Sequence, residues 1–371
     1  MKKIIILVVI LLILGSVSAP YMYRAVFKPT SSTIPVVILP DRAEIKILAG
    51  NLQVPWDIAI LPDGNLLATE RPGDLVLVSH ERGVIGRTTV PDVSTAGEGG
   101  LMGIALHPNF ETNNFIYLYR TTMSEGRRIN QIVRFSYSIA KHTLSDAKVI
   151  LDNIPGATYH DGGAISFGPD GYLYVTTGDA GTPALARDTS SLAGKTLRMT
   201  DDGSPAPRNL FGNIIYSFGH RNAQGLAWDT QGRLWQTEHG RSGVRSGLDE
   251  LNLIRIGGDY GWPESQGDTV LTGTIGPMLH SGESDTWAPG SITADGDTLY
   301  FTGLRGQKLY RVTGLETNPA IEALLVEEYG RLRAARIFNN TLYLTTSNTD
   351  GRGKAGSNDD QLIAIPLELM R

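Results

Sequence analysis

Tyr159-His160-Asp161-Gly162-Gly163-Ala164-Ile165-Ser166-Phe167-Gly168-Pro169-Asp170-Gly171-Tyr172-Leu173-Tyr174-Val175-Thr176-Thr177-Gly178-Asp179 reads as a β-hairpin with chemistry at its two ends. Ala164 to Phe167 and Tyr172 to Thr177 are rich in β-branched and aromatic residues, which suit a pleated, packed surface. Between them, Pro169-Asp170-Gly171 supplies a preset φ, a side chain that bonds its own backbone, and a residue free to take φ > 0, the composition of a tight turn. Directly before the first strand stands His160, whose side chain titrates near neutrality when unperturbed. Two nearby glycines, Gly162 and Gly163, let a ligand approach the main chain.

The unit recurs. Asp57 to Glu70 is a first copy, and Met102 to Phe110 leading into Phe115 to Tyr119 is a second. The quoted stretch is the third, followed by Gln224 to Glu238, Ser291 to Thr302 and Ala335 to Thr346. The copies are spaced by roughly 45 to 65 residues, the length of a four-stranded propeller blade with its loops. Leu75–Val78, Gln131–Phe135, Lys195–Met199, Glu250–Ile254, Lys308–Val312 and Gln361–Ile365 each follow a hairpin as a third strand, and runs such as Ile321–Val326 give fourth strands. The last blade lacks its own fourth strand, while Glu44–Leu48 stands unassigned before the first hairpin. Pairing the two closes the ring and removes two open edges. The expected fold is all-β, a six-bladed β-propeller of four-stranded antiparallel blades over residues 43–371, with a β-sandwich as the alternative.

Phase sorts the loops. In a blade, the residues just before the first strand and just after the second share the top face, because the two strands run in opposite directions. The bottom turns hold plain turn residues such as Pro62-Asp63-Gly64. The top collects Glu98, His160, Asp179, Arg221, Asn222, His239, Gly240, Arg241, Arg305, Arg331 and Arg333. Arginines converging without equal acid opposite them imply an anionic ligand at that mouth.

Composition narrows the function. A net charge of -5 argues against a nucleic-acid partner. Without cysteine there is no disulfide, zinc-thiolate site or thiol catalysis. The seven histidines show no ligand pair at helical or strand spacing. Met1-Lys2-Lys3, an apolar run from Ile4 to Leu14 and a small-residue tail through Ala19 form an export signal. Residues 1–24 are therefore read as a signal for export to the periplasm or exterior. If uncleaved, residues 4–23 are a membrane anchor, being roughly the length that spans a bilayer. Residues 25–42 read as a linker.

The top-face residues are also where the chain resembles the soluble pyrroloquinoline quinone (PQQ)-dependent glucose and aldose sugar dehydrogenases, the aldose branch in particular. The most specific segments are Gly97 to Phe110, Tyr216 to Gly225, and Asp249 to Ile254 running on to Gly258–Pro263. The resemblance implies that His160 is the general base for the C1 hydroxyl of an aldose, with Asp179 orienting it. It implies cofactor contacts at Glu98, His160, Arg221, Asn222, Arg305, Arg331 and Arg333, with Arg221 close to the reacting quinone oxygens. It also implies Ca2+ held by the backbone carbonyls of Gly240 and Arg241, and an electron acceptor outside the chain. Three residues depart from the family pattern. Glu98 replaces glutamine, which sets a carboxylate beside an anionic cofactor; Arg305 replaces lysine; Arg241 replaces proline. A calcium-dependent propeller lactonase built on Glu70, Glu98 and Asp179, and a non-catalytic binding propeller, are the rival readings.

Overall fold

The computed structural model describes residues 33–40, 42–243 and 246–371. The export or anchor segment expected over 1–24 lies outside the described residues, as do residues 25–32 and 41 of the expected linker. The described residues form six four-stranded sheets. After β1 (Lys46–Ala49), blade 1 contains β2 (Pro55–Ile60), β3 (Leu66–Glu70), β4 (Asp74–Ser79) and β5 (Gly83–Thr89). Blade 2 contains β6 (Leu101–Leu106), β7 (Phe115–Ser124), β8 (Arg127–Ser138) and β9 (Thr143–Pro155). Blade 3 contains β10 (Ile165–Phe167), β11 (Leu173–Thr176), β12 (Lys195–Met199) and β13 (Ile215–Phe218). Blade 4 contains β14 (Ala223–Trp228), β15 (Leu234–Glu238), β16 (Glu250–Ile254) and β17 (Leu279–His280). Blade 5 contains β18 (Pro289–Asp295), β19 (Thr298–Gly303), β20 (Lys308–Thr313) and β21 (Ala320–Leu324). Blade 6 contains β22 (Leu332–Phe338), β23 (Thr341–Thr346) and β24 (Leu362–Pro366), completed by β1.

That last pairing is the ring closure expected from the unassigned N-terminal strand. β1 lies antiparallel to β24, with Lys46 opposite Ala364 and Ile47 opposite Ile363. The innermost strands β2, β6, β10, β14, β18 and β22 neighbour one another in turn, and β22 returns to β2. Each blade packs against two others, so its central strands are buried on both faces; β3 (Leu-Leu-Ala-Thr-Glu) is buried at every position. Separate apolar clusters fill the gaps, such as Leu309, Leu324, Leu344 and Ile363 between blades 5 and 6. Outer strands are solvated instead, as in the largely exposed β9.

Two departures from expectation bear on function. Blade 4 has an outer strand of only two residues, because the connector after β16 folds over the top and carries Trp262 toward blade 3. Residues 35–37, within the expected linker, dock on blade 5: Val37 N donates to Ala323 O and Ala323 N to Pro35 O, each at 2.8 Å.

Candidate active site

A cavity of about 380 Å³ opens at the top of the ring. Among the expected site residues, Glu98, His160, Arg221, Gly240, Arg241, Arg305 and Arg331 line it, from five different inter-strand connections and the residue just before blade 6. Asp179, Asn222 and Arg333 lie behind this wall.

His160 and Asp179, at the two ends of the quoted hairpin, meet. His160 Nδ1 lies 2.7 Å from Asp179 Oδ1, and Asp179 is fully buried. Asp179 also accepts from Gly181 N and, through Oδ2, from Trp262 Nε1, each at 2.8 Å. A carboxylate accepts, so Nδ1 carries the proton of this bond and Nε2 is left bare. No described residue bonds Nε2, and the imidazole lines the cavity. His160 takes φ 63°, a left-handed conformation costly for a residue with a Cβ. Its carbonyl then runs so close to Gly178 that a Cβ there would come within 1.9 Å. Glycine at 178 is what allows the two chain ends to close on each other.

Arg221 is held from both sides. Its backbone N donates to Glu238, while Nη1 reaches His239 O at 3.2 Å and Nη2 reaches Ser242 Oγ at 2.9 Å. The guanidinium also sits over the Trp262 ring, 5.3 Å from its centroid. Asn222 is buried beneath, accepting from Gly162 N and Gln224 Nε2. Its Nδ2 is a buried donor without a partner among the described residues.

The expectation of arginines without matching acid is overturned for Arg331. Arg331 Nη2 lies 2.8 Å from Asp350 Oδ2, and both side chains are buried. Arg333 is placed on Trp56, its guanidinium 3.9 Å from the ring centroid, in a small neighbouring cavity. Burial pushes the Arg333 guanidinium down to about 9, against the pull of Glu98. Arg305 lines the main cavity, with Nη1 3.4 Å from Gly243 O.

Glu98 is not left to repel an anion alone. Its Oε1 accepts from Arg352 Nη1 at 2.9 Å and its Oε2 from the His160 backbone N at 3.0 Å. Burial acts to raise its pKa, but Arg352, His239, the His160 N–H and the His160 ring outweigh it and hold the carboxyl at about 2.

Several participants were not singled out from the sequence. Tyr159, half exposed, packs edge-on against the His160 ring at 4.9 Å and lines the cavity. His239 Nε2 lies 2.9 Å from Pro289 O, which fixes the proton there, and burial lowers its pKa to about 4, so the ring is neutral. Asp249 accepts from Gly240 N through Oδ1, and from Thr286 Oγ1, Trp287 N and Ala288 N through Oδ2. Arg352 also lines the cavity, and Trp262 stands behind it on Asp179. Phase pointed to Tyr159 and His239, and Asp249 and Trp262 lie in segments that carry the family resemblance, whereas Arg352 carries no local signal.

Asp161, next to the base, is buried with Oδ2 unpartnered, while Oδ1 accepts from Asn130 Nδ2 and Ala157 N. Burial pushes this carboxyl up to about 6. A raised pKa stabilises the fold below the unfolded value of about 4, and that contribution is lost as pH rises through the folded value. Asp161→Asn keeps the Oδ1 acceptor, so it should be more stable than wild type by about 3 kcal/mol at pH 7. In urea melts the difference should shrink toward pH 4; a gap independent of pH would contradict this.

Gly240 O has no protein donor among the described residues, while Arg241 O accepts weakly from Gly247 N at 3.3 Å and Ser246 Oγ at 3.4 Å. No group of three or more His, Cys, Asp or Glu side chains that could hold a metal occurs among the described residues.

The chain is similar to several known sugar dehydrogenases. A PQQ-bound aldose sugar dehydrogenase from Streptomyces coelicolor is 40% identical, with a TM-score of 0.80, over 88% of this chain and 98% of its own. The quinoprotein glucose dehydrogenase B of Acinetobacter calcoaceticus is 33% identical over 60% of this chain and 52% of its own. The aldose sugar dehydrogenase of Escherichia coli K12 is 32% identical over 60% of this chain and 62% of its own. The chain thus spans between half and two thirds of the length of these two curated relatives. Residues 52–362, nearly the whole propeller, match the profile of one family, and the chain belongs to that family, Glucose / Sorbosone dehydrogenase.

Proposed function

We propose that the protein is a PQQ-dependent aldose sugar dehydrogenase, oxidising the C1 hydroxyl of an aldose to the lactone. The observation that carries this reading is the His160–Asp179 pair, with Nε2 bare at a cavity walled by arginines. The cavity suits a planar polyanion: Arg221, Arg305 and Arg331 line it, and Asn222 Nδ2 is an unpartnered donor just behind. PQQ held there would supply the two-electron oxidising capacity for the C1 hydrogen, with an acceptor outside the chain to reoxidise it.

The chain's own residues do the rest. His160 Nε2 takes the hydroxyl proton as hydride leaves C1, and Asp179 fixes the tautomer and steadies the imidazolium that results. Arg221, braced by Glu238, His239 O and Ser242, sets positive charge where negative charge develops. A hard cation fits through the Gly240 and Arg241 carbonyls provided that cofactor oxygens complete its shell, since Asp249 is already committed to four donors. Ca2+ held there would polarise the quinone carbonyl. The basic, apolar N-terminus supports export, with residues 4–23 either cleaved or retained as an anchor.

The rival lactonase is not favoured, because its carboxylates hold separate partners: Glu70 binds Arg87, Glu98 binds Arg352 and Asp179 binds His160. The test is to mix apoprotein with PQQ and Ca2+ and follow dye reduction by a panel of aldoses. Turnover that requires the quinone is expected. Hydrolysis of a lactone without quinone, and no dye reduction by any aldose, would defeat the proposal.

A further inference from the structure

We infer that Arg352 is a charge-compensating residue for cofactor binding: it clasps Glu98 across the mouth and so lets a carboxylate stand in a cavity that must accept an anion. The inference rests on the PQQ reading above and adds a residue to it.

The clasp joins distant parts of the ring. Arg352 lies in the connection between β23 and β24 of blade 6, and Glu98 in the connection before blade 2, 254 positions away. Their contact, 2.9 Å between Nη1 and Oε1, forms part of the wall shared by the main cavity and the smaller one over Trp56. The supporting loop is fixed from below: Asp350 Oδ1 accepts from Arg352 N at 2.8 Å, and Asp350 Oδ2 holds Arg331. Arg352 is therefore delivered to Glu98 by the same acid that pairs with Arg331.

Glu98 is ionised, and the charges facing it are known. His160 and His239 bear on it from blades 3 and 4, and Arg71, Arg221, Arg331 and Arg333 from their own elements. His239 has its Nε2 on Pro289 O, Arg331 is matched by Asp350, and Arg333 is turned onto Trp56. Arg352 is the cation in direct contact. With it present, the Glu98–Arg352 unit is neutral toward an incoming anion; without it, the unit is a buried negative charge at the cavity wall. The Glu98 backbone contact to His160 N is separable from this role, since a glutamine amide oxygen can accept the same N–H.

A double-mutant cycle tests the idea by equilibrium dialysis of PQQ at fixed Ca2+, read from the absorbance of free quinone. Arg352→Ala should weaken binding about tenfold or more, and Glu98→Gln should bind at least as tightly as wild type. The double variant Arg352→Ala/Glu98→Gln should return to within about threefold of wild type, because the charge to be compensated is gone. Thermal melts of all four proteins accompany the titrations. Binding by Arg352→Ala within about twofold of wild type overturns the inference. So does a double variant as weak as Arg352→Ala, which would mark Arg352 as a loop brace. If wild type itself binds no PQQ, the reading of the cofactor fails instead.

Discussion

Replacing His160 with alanine is expected to lower kcat for aldose oxidation by about a thousandfold, the scale of a positioned general base, while PQQ binding stays within about threefold of wild type. The separation follows from the geometry. The cations facing the anionic cofactor, Arg221, Arg305 and Arg331, are held by contacts that do not include the imidazole. The bare Nε2, in contrast, has no second imidazole to replace it: His239, the other imidazole lining the cavity, has its Nε2 on Pro289 O and is shifted far toward the neutral form. His160→Asn is the companion variant, because asparagine tolerates the positive φ at this position better than alanine. Loss of turnover in both, with quinone binding retained by dialysis, is the expected result. Retained turnover in either, or loss of cofactor binding in both, would remove His160 from the role of base.

Arg331→Ala should fail in two ways at once. Asp350, only 6% exposed, would lose its guanidinium partner, and stranding one member of a buried pair costs about 3–5 kcal/mol. Ser347 O and Leu304 O would also lose donors. Cofactor affinity should fall with it, since Arg331 lines the cavity. Arg331→Ala/Asp350→Ala distinguishes the two effects: much of the stability should return in urea melts while PQQ binding stays weak. A single variant that melts at the wild-type midpoint would show the pair to be energetically idle. From the sequence, Arg331 reads as a cofactor ligand alone, because nothing there reveals that Asp350 is paired to it.

The contrast extends through the molecule. The six hairpins, their turns and the unassigned strand Glu44–Leu48, which the structure places at Lys46–Ala49, were legible because strand period and turn chemistry are local properties of the chain. Outer strands were less so: β9 runs over 13 residues and β17 over only two, and solvated edges carry little apolar signal to set their lengths. Glu98, once read as a source of repulsion beside an anion, has its answer in Arg352, a residue that no motif marked.

By itself the sequence determined the number of blades, the strand that closes the ring, and the meeting of His160 with Asp179, because strand phase dictates which loop ends share a face. Only the tertiary structure decided which charges are spent and which face the cavity. Closure of the ring brings Arg352 to Glu98, and the connector after β16 brings Trp262 to Asp179. Blade-to-blade contacts of this kind are made by irregular loops, whose paths are set by what they pack against rather than by any period in their residues.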